Sequence, residues 1–66
     1  MAKITKQAAR RIADEAGIDF SKDYHQLRMS AVDTLDDIRR LTGYQKPKNA
    51  SGSRTRYFFY YLQKVR

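Results

Sequence analysis

Apolar residues recur at helical spacing in three stretches of the chain. In the first, Ile4, Ala8, Ala9, Ile12, Ala13 and Ala16 share one face of a helical wheel, and Lys3, Lys6 and Arg10 share the opposite side. Gly17 stands where a glycine with left-handed backbone ends a helix. The small alanines predict close packing against a neighbouring helix, with Ile18 and Phe20 anchoring the connection that follows. In the second stretch Tyr24, Leu27, Ala31, Leu35, Ile38 and Leu41 repeat at spacings of three or four. Ser21 is the expected cap there, Asp23 lies near the positive end, and Gly43 is the expected stop. Met29, Asp33, Asp36 and Arg40 fall on its outer face. This helix is expected to be the spine of the fold.

The last third reads differently. Pro47 pushes Lys46 out of the helical region, and Asn49, Ser51, Gly52 and Ser53 favour turns, so residues 44–53 are expected to form a loop. "YFFYY" has high strand propensity, but a lone strand has nothing to pair with. A helix from about Arg54 is therefore favoured. It puts Tyr57, Phe58, Tyr61, Leu62 and Val65 on one face and leaves Arg56, Phe59, Tyr60 and Gln63 on or near the other. The pattern as a whole predicts an all-α, three-helix fold over about residues 3–65. The expected unit is one domain, 1–66, with a basic loop before the C-terminal helix.

Length and composition set bounds on this picture. A chain of 66 residues forms one domain at most, with a stability on the order of 3–10 kcal/mol. It has no cysteine, which excludes a disulfide framework and a thiolate metal site. The opening residues are too polar for a signal peptide, and no window approaches a membrane span. The expected location is the cytoplasm, or the virus particle if the chain is viral.

Charge changes the picture most. The net charge is +7 with a pI near 10.1, and it is segregated. Residues 43–66 carry six basic groups and no acidic one, whereas residues 1–42 carry eight basic and seven acidic. Such a balance favours a polyanionic partner, of which nucleic acid is the commonest, DNA ahead of RNA. Arg54 and Arg56 fall in the first turn of the third helix, where the helix dipole disfavours cations. A bound phosphate would reverse that penalty, with Lys46 and Lys48 just upstream and Ser51, Ser53 and Thr55 as added donors. Lys3, Lys6 and Arg10 complete the expected phosphate-binding set. Tyr57, Phe58 and Tyr61 are expected in the core. Phe59 and Tyr60 cannot both join that face, so at least one of them is expected to meet a base or a partner, and Tyr60 is the better placed.

Catalytic chemistry finds no support. His25 is the single histidine, and Asp33, Asp36 and Asp37 lie beside Arg39 and Arg40, as on a solvated helix face. Neither glycine fingerprint for nucleotides is present. No enzyme, metal or cofactor is expected.

"RRIADEAGI" resembles the first half of a helix-turn-helix of the lac-repressor type, with Ile12, Ala13, Ala16, Gly17 and Ile18 on its pattern. In the second half Tyr24 and Leu27 each fall one position late. "TLDDIRRLTGY" opens similarly through Ile38 and Gly43, with Arg39 in place of the usual alanine. The short, basic, cysteine-free chain is also similar in type to small phage-encoded proteins. The resemblance implies a small helical DNA-binding module. The competing expectation is a small interaction protein of phage type, an inhibitor or capsid-associated protein, docking its basic tail on an acidic protein surface.

Overall fold

Three short polar side chains start the three helices. In the computed structural model, which describes residues 3–65, the Ala8 N–H donates to Thr5 Oγ1 at 3.1 Å and opens α1 (Lys6–Glu15). The Gln26 N–H donates to Asp23 Oδ1 at 3.1 Å and opens α2 (Tyr24–Thr42). The N–H groups of Thr55 and Arg56 donate to Ser53 Oγ at 3.1 and 3.3 Å and open α3 (Arg54–Gln63). Each side chain accepts from amides that the first helical turn leaves without partners. The expected cap at Ser21 is thus displaced to Asp23. Ser21 instead donates through its N–H and hydroxyl to Asp19 Oδ1, and these bonds hold the Asp19 carboxyl below its ordinary value. Both expected stops hold, since Gly17 and Gly43 have φ of 90° and 72°.

The fold is all-α, as the pattern predicts. Its core joins Ala9 and Ala13 of α1, Ile18 and Phe20 of the first connection, Tyr24, Leu27, Leu35 and Ile38 of α2, and Phe58, Phe59 and Leu62 of α3. The spine, α2, is broken at Ala31, whose φ and ψ of −142° and 15° are not helical. The Ser30 hydroxyl donates to the Leu27 carbonyl at 3.4 Å just before the break, a local bond of the kind that bends helices. Leu35 and Ile38 stay buried beyond the break, and the wheel fails at the last turn. Leu41, expected inside, is 55% exposed. In α1, Ala9 and Ala13 let the helix approach closely, and the buried stripe narrows to them. Ile12 and Ala16, also expected inside, face solvent.

The largest correction concerns Phe59, expected on or near the outer face and found fully buried. Helix α3 is wedged between two aromatic walls. On one side Phe58 meets Tyr44 at a centroid distance of 5.5 Å. On the other Phe59 stacks on Phe20 at 5.3 Å and meets Tyr24 at 5.8 Å. Two adjacent residues can both be buried because the covered arc of this helix is wide. Among the described residues, no helix is long and apolar enough to cross a membrane.

Candidate nucleic-acid interface

The last turn of α2 ends in Arg39 and Arg40, and the loop after Gly43 doubles back past it to the start of α3. This folding path builds a groove of about 640 Å³ that gathers Arg39, Arg40, Lys46, Lys48 and Arg54. Lys46 Nζ donates to the Gly52 carbonyl at 2.8 Å, tying one side of the loop to the other. Lys48 and Arg54 are exposed. Gly43 lines the groove, and Lys3 lays its side chain across it. A Cβ at Gly43 would come within 2.8 Å of Lys3 Cδ, Cε and Nζ, which a flexible lysine can move aside, so it is the residue's left-handed backbone that favours glycine.

One carboxylate borders this arrangement. Asp36 pairs with Arg39 at 2.9 Å and with Arg40 at 3.1 Å, and accepts from the Thr55 hydroxyl at 2.9 Å. Burial alone would raise its carboxyl, but hydrogen bonds from Arg39 and Thr55 and the charges of both arginines outweigh that and hold it below the ordinary value. Thr55 is itself buried. The Asp36–Thr55 bond therefore fixes the start of α3 against the arginine-bearing turn of α2. Arg39 and Arg40 are the residues that the sequence reading missed. They were read with Asp33, Asp36 and Asp37 as part of a solvated helix face. Their position in the last turn before Gly43, on the path of the basic loop, was the available signal.

The remaining expected residues separate into four places. Arg56 turns away from the groove. Its Nε donates to Tyr60 Oη at 3.2 Å, and the hydrogen bond raises the guanidinium's already high pKa further. Arg56 and half-buried Tyr60 line a second cleft of about 420 Å³ with Asp23, Tyr24, His25, Arg28 and Ser53. Lys6 sits over the Tyr61 ring at 4.5 Å from its centroid. Arg10 has its Nε and Nη1 donors occupied within the fold. Its Nε pairs with Asp14 at 3.1 Å, and its Nη1 donates to the carbonyls of Leu62 and Val65 at 2.7 and 3.1 Å. Its guanidinium also lies 4.1 Å from the Phe20 ring centroid. Arg10 closes the C-terminal end of α3 and does not join the groove. Phe59, fully buried, offers no ring to a base.

The start of α3 differs from expectation in one further respect. Ser53 takes the N–H groups of Thr55 and Arg56, so those two amides are not offered to an anion. Among the described residues, no three His, Cys, Asp or Glu side chains gather to hold a metal ion. Comparison with protein-family models, with curated proteins and with solved structures finds no match to this chain.

Proposed function

We propose that the protein binds nucleic acid through phosphate contacts in the groove between the end of α2 and the start of α3. The observation that carries this reading is the gathering of five cationic side chains, from the end of α2, the loop and the start of α3, on one groove bordered by one carboxylate. Among the described residues, Lys46, Lys48 and Arg54 have no acidic partner, so their charge is available to a polyanion. Guanidinium forks and ammonium groups both bind phosphate oxygens. Such contacts give affinity and orientation without sequence choice. The connection between α1 and α2 occupies residues 16–23, longer than the roughly three to four residues of a helix-turn-helix turn. The reading accordingly rests on the groove and not on a recognition helix.

The test is binding of the purified protein to random-sequence duplex DNA at several salt concentrations. Five phosphate contacts give a log–log slope of about −4 to −5. Replacing Lys48 by alanine is expected to weaken binding to all sequences alike and to reduce the slope by about one. No binding to duplex or single-stranded DNA at low salt would overturn the proposal and favour an acidic protein surface as the partner.

A further inference from the structure

The second cleft has a character the groove lacks. It lies on the other side of the α3 start and combines two arginines with aromatic side chains and a carboxylate. Tyr60 is held in place from two directions. Its ring meets the buried Phe59 at 63° and 5.8 Å, and its hydroxyl accepts from Arg56. Its orientation is therefore set before any ligand arrives. Arg28 is exposed and, like Arg56, makes no ion pair among the described residues.

Asp23 decides what such a cleft takes. Its Oδ1 caps α2, and its negative charge beside the two arginines lowers the attraction for a second phosphate. The same carboxylate can accept from an exocyclic amine. A flat, neutral group with hydrogen-bonding edges fits this lining better than an anion does.

We infer that the cleft between Tyr60, Arg28 and Asp23 receives one unpaired base of a strand whose backbone lies in the groove, so that the protein prefers single-stranded to duplex nucleic acid. The inference rests on the groove reading above. The two sites share the first turn of α3, where Arg54 lines the groove and Arg56 lines the cleft. A strand crossing that turn brings phosphates to one side and a base to the other. In a duplex the bases are paired and stacked, so none is free to enter without being extruded.

The experiment is fluorescence anisotropy with a labelled 12-nucleotide mixed-sequence DNA strand, its duplex, and an abasic strand of equal length, at one salt concentration. Wild-type protein is expected to bind the single strand more tightly than the duplex. Tyr60→Leu is expected to lose about 5- to 100-fold for the single strand, the range that base–aromatic stacking supplies, with duplex binding unchanged. Tyr60→Phe keeps the ring and its contact with Phe59 but loses the Arg56 bond, so it should retain most of the affinity that Tyr60→Leu loses. The abasic strand should bind wild type about as weakly as the normal strand binds Tyr60→Leu. Should Tyr60→Leu fold poorly by its melting temperature, Arg28→Ala, at an exposed position, serves instead and should weaken single-strand binding several-fold. Equal loss for strand and duplex, or no loss for either, overturns the cleft reading while leaving the groove intact. Wild type binding neither ligand defeats the groove reading, and the cleft reading with it.

Discussion

The two ends of α3 each carry arginine, and they use it in opposite ways. At the C-terminal end Arg10 reaches in from α1, donates to the carbonyls of Leu62 and Val65, and rests on Phe20. Carbonyls at that pole carry partial negative charge, so a cation there stabilises the fold. At the N-terminal end Arg54 and Arg56 stand in the first turn, where the dipole opposes them, and among the described residues neither has an acidic partner. The difference teaches that basic residues are not equivalent evidence of a binding surface. An arginine whose donors are occupied within the fold belongs to stability. Of the two at the unfavourable pole, Arg56 donates to Tyr60, and the Arg54 side chain has no hydrogen bond or ion pair among the described residues.

The largest effect expected on α3 concerns the anchor that both of its ends depend on. Phe59→Ala should cost about 3–5 kcal/mol, a large share of the total, and denaturant melts will measure it. A small loss would mean that the helix is not wedged between aromatic walls as described. Arg10→Ala comes next, at about 2–3 kcal/mol, because two carbonyls lose a charged donor. Below the lowered melting temperature it should bind nucleic acid like wild type. Reduced affinity in a fully folded Arg10→Ala protein would erase the contrast between the two ends.

Arg54→Ala should do the reverse. Removing a cation from the first turn is expected to leave stability unchanged or raise it by a few tenths of a kcal/mol to about 1, while weakening binding and lowering the salt slope by about one. The smallest effect is the pH dependence contributed by Asp36. Its carboxyl is held below the ordinary value in the folded protein, so its stabilising contribution is complete above the unfolded carboxyl pKa of about 3.9. That contribution disappears as pH falls through the lower folded value. Asp36→Asn should flatten this part of the acid melting profile and, by freeing Arg39 and Arg40, tighten nucleic-acid binding at neutral pH.

Helix number, order and most of the stops were legible in the sequence because they depend on local signals, whereas the cap of α2 fell on Asp23 and not on Ser21. Gly17, Gly43 and Ser53 act within their own turns, whatever the rest of the chain does. Phe59 was misread because a helical wheel allots one buried face per helix, whereas burial on two sides depends on where Tyr44 and Phe20 arrive from. The groove was half legible. Its loop members stood out as a run of unopposed charge, but Arg39 and Arg40 were masked by the aspartates beside them. Only the return of the loop past the end of α2 places them beside Lys46 and Lys48. Arg10 was indistinguishable from Lys3 and Lys6 on the wheel, because its partners lie 52 and 55 residues away.

That separation bears on the order in which the structure comes apart. Helix α1 contributes only Ala9 and Ala13 as fully covered side chains, so little apolar surface holds it down, and its clasp on α3 is made by Arg10 with Lys6 over the Tyr61 ring. Segments with few buried contacts open at lower free energy than the whole protein. The amides of α1 should therefore exchange with deuterated solvent ahead of those around Leu35 and Phe58, through partial openings that leave α2 and α3 paired. In Arg10→Ala the gap between the two rates should widen. During refolding, a contact spanning so much of the chain is expected to form late, since the loop it closes costs entropy before the contact can offset it.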